Sequence, residues 1–121
     1  MMQLIPDLPA DVIGLIASGH VTAGDYERVA IPAVEAALRT HDRIRMLFQV
    51  PAGFEGFAPG AVWDDVKMGM GHFTAWEKIA VVTDIDWIRG STRLFAILMP
   101  CPVRLFANAE MAEATRWIVE T

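Results

Sequence analysis

The sequence predicts an α/β domain: a four- to five-stranded, mixed but mostly parallel sheet flanked by about four helices, in the order ββαβαβαβα. Three observations carry this reading. Two near-continuous apolar runs with β-branched members, Ile44 to Val50 and Ile79 to Thr83, have the pattern of inner strands covered on both faces. The stretches between strands place apolar residues at helical spacing, so the strands are joined by crossovers and run parallel. At 121 residues the chain suits one core of two or three layers, and residues 1–121 read as a single domain.

Taken in order, Met2 to Ile5 is a short apolar run ended by Pro6, and Pro9 closes the following turn. Asp11 to Ser18 reads as a strand around Gly14, with Ile13, Leu15 and Ala17 on one side, and Gly19-His20 ends it. The two runs make a hairpin that leaves the first at a sheet edge. Thr22 stands three residues before Asp25, the spacing of a capping box. Tyr26, Ala30, Val34, Ala37 and Leu38 continue at helical spacing to about Thr40. Pro32 lacks an amide hydrogen and disfavours helical geometry at Ile31, which predicts a kink or two short pieces.

Pro51 to Pro59 reads as the longest loop, and Pro59 suits the first turn of the next helix, Gly60 to Phe73. Glycines 60, 69 and 71 each weaken that helix by about 1 kcal/mol relative to alanine. After the second inner strand, Asp84 or Asp86 is expected to cap a helix to about Met99. Trp87, Ile88, Leu94, Phe95 and Leu98 then cover one broad side, with Arg89, Arg93 and Ile97 in a row on the other. Pro100 and Pro102 stop the helix, Val103 to Phe106 is the last strand, and Asn108 caps a terminal helix whose Met111, Thr115 and Ile118 row packs beside Trp117.

A formal charge of −5 argues against a nucleic-acid partner, which needs clustered cations. No uncharged apolar run approaches the roughly 18 residues of a spanning helix, and the start lacks the basic and small-residue pattern of a signal peptide. Cys101 is a lone cysteine, which fits a reducing compartment, so the expected location is the cytoplasm. The hydrophobic fraction, 54%, exceeds the usual range and is consistent with a dense core, an apolar cavity or a greasy surface patch.

Candidate chemistry is sparse. Asp65 and His72 project from one side of the expected helix but stand about 10 Å apart along its axis, too far to share a proton or a metal. Asp64 joins them on a face that reads as solvated. His20, His41 and His72 have no metal-ligand spacing. Neither Ser18, Ser91 nor Cys101 lies in a nucleophile motif, and Gly53, Gly56 and Gly60 match no phosphate-binding loop. No catalytic residue, metal or cofactor is expected.

The segments Gly60-Ala61-Val62-Trp63-Asp64-Asp65, Trp76-Glu77-Lys78-Ile79-Ala80-Val81-Val82-Thr83-Asp84 and Trp87-Ile88-Arg89, with the element order, resemble the SpoIIAA-like family of small bacterial proteins. The resemblance spans essentially the whole chain and implies the fold of STAS domains, of the anti-sigma-factor-antagonist type, and no catalysis. Such antagonists carry a phosphorylatable serine at the start of the helix that follows the third strand. Here that stretch is Glu55-Gly56-Phe57-Ala58-Pro59-Gly60, without Ser or Thr. The group also resembles lipid-carrier domains in shape, which implies two central helices that open over an apolar pocket and a reversible membrane contact.

Joined to the residues, this yields two expectations. The first is a module that binds a nonpolar small molecule or lipid and touches a membrane surface. Phe54, Phe57, Trp63, Val66, Met70, Trp87 and Phe95 would line its pocket, and Arg89, Arg93 and Ile97 would meet the headgroup or membrane. The second is a regulatory domain that docks a protein partner. Spacing alone fits both a filled core and a pocket.

Overall fold

The computed structural model describes residues 1–62, 67, 71 and 74–120. A five-stranded sheet forms its centre. The strands are β1 (Met2–Leu4), β2 (Val12–Ala17), β4 (Ile44–Val50), β6 (Trp76–Thr83) and β7 (Val103–Phe106), side by side in that order. β1 pairs antiparallel with β2, with Met2 opposite Ala17, and every other neighbour is parallel. This is the mixed, mostly parallel sheet that the sequence predicts, with the short first strand at an edge.

From β2 onward each strand is laid down on the same side of the one before. Right-handed crossovers repeated in one direction put all their helices on one face. Val34 and Ala37 of α2 (Ile31–Leu38) and Ile88 of α3 (Asp86–Leu98) accordingly join the same core as Ile13, Leu15, Met46, Ile79 and Val81. The opposite face is covered by α4 (Met111–Val119), whose Ala114 and Ile118 pack on Leu47, Ala80, Val82 and Phe106. Sealed aliphatic side chains such as Leu15, Ile44, Leu47 and Ile118 each contribute roughly 1.5–3 kcal/mol by leaving water.

The expected capping box is present. Asp25 N–H donates to Thr22 Oγ1 at 3.2 Å, and Thr22 N–H donates to Asp25 Oδ2 at 2.9 Å, opening α1 (Ala23–Asp25). Pro32 does not break the helix. The chain widens into a π turn over Tyr26–Ala30, where Ile31 N–H reaches back five residues to the Tyr26 carbonyl, and continues into α2 without a break. A wider turn before it makes room for the proline ring and its missing donor.

Two expectations at helix starts are corrected. Ile85, not Asp84 or Asp86, occupies the cap of α3, and Thr83 Oγ1 takes the Ile85 amide at 3.2 Å. Asp84 instead accepts the Asn108 amide at 3.1 Å. Asn108 opens a 3₁₀ turn (Asn108–Glu110) before α4, and the carboxylate that reaches back to an amide there is Glu110, which binds Ala107 N–H at 2.7 Å.

The expected Pro51–Pro59 loop is also corrected. Phe54–Phe57 form β5, which pairs in parallel with β3 (Gly19–Val21), so Gly19-His20 begins a strand rather than ending one. Gly19 (φ +58) turns the chain out of β2, and Gly56 (φ +147) lets β5 absorb the register shift opposite His20. Residues 59–62 are helical, as are Lys67 and Gly71, beginning one residue before the expected Gly60.

A bulge sets the start of β6. Trp76 pairs with Ile44 and Lys78 with Arg45, leaving Glu77 as the extra residue. This lengthens the strand beyond the expected Ile79 and puts Trp76 on the same face as Ile79 and Val81. Glu77 meets Arg45, whose side chain is only 7% exposed, accepting from its Nε at 2.7 Å. Arg45 Nη1 donates to the carbonyls of Ile118 (3.0 Å) and Glu120 (2.7 Å), the last turn of α4. Lys78 Nζ adds bonds of 2.9 Å to the carbonyls of Trp117 and Glu120, and Lys78 and Arg104 each lie against the Trp117 ring.

Removing Arg45 takes the counter-charge from Glu77 and the side-chain donor from the Ile118 carbonyl, and leaves the Glu120 carbonyl to Lys78 alone. Arg45→Ala should therefore lower the unfolding free energy by about 3 kcal/mol. A wild-type denaturant midpoint for that variant would refute the arrangement. Asp25 supplies a pH-dependent contribution. The Thr22 backbone amide holds its carboxyl below the usual range against the opposing effect of burial, helped by the Thr22 hydroxyl and by the Met1 ammonium 3.6 Å away. A lowered folded value means stability that is complete above the unfolded carboxylate range and lost as pH falls through the lowered one. Asp25→Asn should cost about 1 kcal/mol at pH 7, with the gap to wild type closing below about pH 4, as read by thermal melts across pH.

Candidate functional site

Three of the residues expected to line a pocket come together. Phe54 and Phe57 have ring centres 4.8 Å apart, and Trp87, in the first turn of α3, lies 6.3 Å from Phe54 and 6.2 Å from Phe57, edge-on to the latter. Tyr26, fully buried, stands under them with its ring 6.4 Å from Phe57. The β3–β5 pair brings them together: its positive-φ glycines fold β5 back so that both phenylalanines pack on the domain. Phe95 sits on the inner side of α3 and packs against the large core. Trp63, Val66 and Met70 lie outside the described residues.

The outward face of α3 is unusual. Ile88 and Thr92 point inward and are buried, yet Trp87 (57% exposed), Leu94 (69%), Ile97 (80%) and Leu98 (70%) face solvent. This corrects the expectation that Trp87, Leu94 and Leu98 cover the domain together with Ile88 and Phe95. A helix rotates 100° per residue, so the sector that meets the sheet holds Ile88, Thr92 and Phe95, and apolar residues over so wide an arc cannot all turn inward. Trp87, Leu94 and Leu98 fall at i, i+7 and i+11, one continuous stripe running from the aromatic cluster. Val62, also half exposed, adds to the apolar surface outside the core.

The expected arginine row divides. Arg89 is half-buried, and its Nη1 donates to the carbonyls of Thr83 (2.8 Å) and Phe106 (3.2 Å), joining the carboxyl ends of β6 and β7. In parallel sheets that end is the usual place for a ligand crevice. Here Arg89 spans it, and the Asn108 amide nitrogen lies 3.5 Å from the Val50 carbonyl of β4. Arg93 and Ile97 are exposed on the outer border of the stripe.

Among the described residues no group of three His, Cys, Asp or Glu side chains could hold a metal. Cys101 is 8% exposed, and burial pushes its thiol up against the opposing pull of Arg43, so it is held protonated and unreactive. Asp64, Asp65 and His72 lie outside the described residues. No helix among the described residues is long and apolar enough to cross a membrane.

Fold and surface together define an α/β protein whose distinguishing surface is an aromatic cluster continued by an apolar helix face. The chain belongs to the SpoIIAA-like family, whose model matches residues 12–119. It is similar in structure to an uncharacterized protein with a SpoIIAA-like fold from Shewanella loihica PV-4. That similarity has a TM-score of 0.76 at 22% identity, covering 97% of this chain and 93% of the other. No curated protein matches it.

The two arginines should separate on mutation. Arg89→Ala leaves two carbonyls short of a donor and should cost about 2 kcal/mol, whereas Arg93→Ala should change stability by less than about 0.5 kcal/mol. Equal thermal shifts for the two variants would contradict this division.

Proposed function

We propose that this protein is a non-enzymatic binding module that associates reversibly with a membrane surface or other nonpolar matter through the outer face of α3. The observation that carries this reading is the exposed stripe of Trp87, Leu94, Ile97 and Leu98. A helix whose apolar sector faces water, bordered by a cation, is built to lie in an interface. The aromatic cluster at its head supplies rings suited to the boundary between headgroups and hydrocarbon. Arg93 contributes on the order of 1 kcal/mol against an anionic lipid surface, opposed by the net charge of the chain, so apolar burial is the main source of affinity. The carrier form of the idea adds a nonpolar ligand beside Phe54, Phe57 and Trp87.

Flotation with vesicles of phosphatidylcholine and phosphatidylglycerol tests the membrane contact. Burying Leu94 and Ile97 contributes roughly 1.5–3 kcal/mol each, so Leu94→Glu/Ile97→Glu should weaken binding at least about 100-fold. Arg93→Glu should weaken it less and reduce its salt dependence. Equal, negligible flotation of wild type and both variants would remove the proposal.

A regulatory protein–protein docking domain is the rival reading, and membership of a SpoIIAA-like family supports it. The stretch Glu55 to Gly60, lacking Ser and Thr, speaks against control by a phosphorylated serine, though not against docking. Recovery of a stoichiometric protein partner whose binding survives Leu94→Glu/Ile97→Glu would favour this rival.

A further inference from the structure

β7 is the last strand of the sheet, and among the described residues it pairs with β6 alone. The Ile79 amide donates to the Pro102 carbonyl at 3.0 Å, so Pro102, Arg104 and Phe106 turn their backbone groups toward β6. Val103 and Leu105 each present an N–H and a C=O to the open side, a template for one more strand. The two flanks of this edge differ. Toward α3 the side chains of Val103 and Leu105 are half-buried against the large core. On the opposite face α4 lies over β4 and β6, and Arg104 stands beyond it, exposed. Its guanidinium rests 4.8 Å from the centre of the Phe106 ring and 5.2 Å from that of Trp117. Among the described residues it has no hydrogen bond or ion pair, so its N–H donors are held in place by the rings and left unused. Lys78, against the same Trp117 ring, and Arg93, one turn beyond Arg89 on the flank of α3 nearest β7, make this corner positive in a chain of net charge −5.

The geometry points to β7 as a docking edge for an extended acidic segment of another protein, added to the sheet as a sixth strand. In an antiparallel addition Val103 and Leu105 each exchange two hydrogen bonds with one residue of the incoming strand. The residue between those two stands in the close, non-hydrogen-bonded pairing opposite Arg104. A carboxylate there meets the free guanidinium, and apolar neighbours opposite Val103 and Leu105 extend the core at its edge. The recognised pattern is apolar, acidic, apolar, with main-chain bonds for affinity and Arg104 for specificity. A cation that merely guards an edge projects into solvent, whereas this one is laid on two rings. A second copy of this chain is a poor occupant. Pairing β7 with its own two-fold mate through Val103 and Leu105 sets Arg104 directly against Arg104, like charge on like. The site gives the docking reading a surface and takes nothing from the membrane reading, whose stripe of Trp87, Leu94 and Leu98 lies on the opposite flank of α3 from Arg89.

Panning a random heptapeptide phage library on the whole chain tests this. Enriched peptides should carry Glu or Asp between two apolar residues and, once synthesised, bind with a Kd on the order of 10–100 μM. Binding should slow hydrogen exchange at the Val103 and Leu105 amides and leave the Arg104 amide, already in the ladder, unchanged. Arg104→Glu should weaken the acidic peptides at least about tenfold and, panned afresh, select Lys or Arg at their centre. Val103→Pro removes one outward amide without touching the β6 ladder, and should weaken them about tenfold or more with an unchanged circular dichroism spectrum. Leu94→Glu/Ile97→Glu should leave peptide binding within about twofold, so failure of the membrane contact and failure of this edge are read separately. Panning that enriches no acidic pattern, peptides that leave Val103 and Leu105 exchange unaltered, or an Arg104→Glu chain that keeps the same peptides overturns the site. Protection of the same two amides by self-association, without peptide, would put a second copy on the edge and equally overturn it.

Discussion

Right-handed crossovers stepping in one direction across the sheet determine where everything else in this molecule goes. β2, β4, β6 and β7 are laid down in order, so α2, the π turn before it and α3 all share one face. The other face has α4 as its helical cover, and α4 arrives after the last strand. That division explains why a charged residue is buried in the sheet. Arg45 points toward the α4 side, where its guanidinium is the donor that the end of α4 needs, and the Glu77 bulge supplies its counter-charge. One extra residue in β6 thus does two things: it turns Trp76 into the large core and holds Glu77 beside Arg45.

The same geometry creates the exposed face of α3. The helix has one arc to offer the sheet, occupied by Ile88, Thr92 and Phe95, while the sequence continues apolar around much of the circumference. Apolar residues in excess of what the sheet can cover are left in water. A few scattered exposed leucines need no explanation, but a continuous row joined to an aromatic cluster does. The cluster itself depends on the small β3–β5 pair, whose register tolerates Phe54 and Phe57 on the domain side because Gly56 takes up the irregularity.

Much of the fold was legible in the sequence. Ile44–Val50 was found to the residue because a run apolar on both faces admits few alternatives. The Thr22–Asp25 cap and the last strand were equally plain. Several of the misses share a cause: a partner distant in sequence. β5 looks like a loop because its pairing partner is the three-residue β3, too short to show a period, and the bulge at Glu77 is visible only opposite Ile44 and Arg45. Asp84 is a good cap by composition and is used elsewhere because Asn108 comes within reach. At the candidate site, Phe54, Phe57 and Trp87 were identifiable as aromatic residues flanking a helix start. In the sequence Tyr26 has only the spacing of a helix stripe, since nothing local ties it to Phe57. The inward or outward sense of Leu94 and Leu98 depended on how wide an arc the sheet could cover, which periodicity does not specify.

The late position of α4 has a consequence for synthesis. As the chain leaves the ribosome, β2, β4 and β6 and the helices that join them can close one side of the sheet before residues 111–119 emerge. Leu47, Ala80, Val82 and Phe106 stay uncovered during that interval, and the buried Arg45 has no helix end to bind. A nascent chain in that state has a bare, sticky β surface, the kind of intermediate on which folding and misassociation compete. Translation speed through the segment that encodes α4 would then influence the yield of native protein.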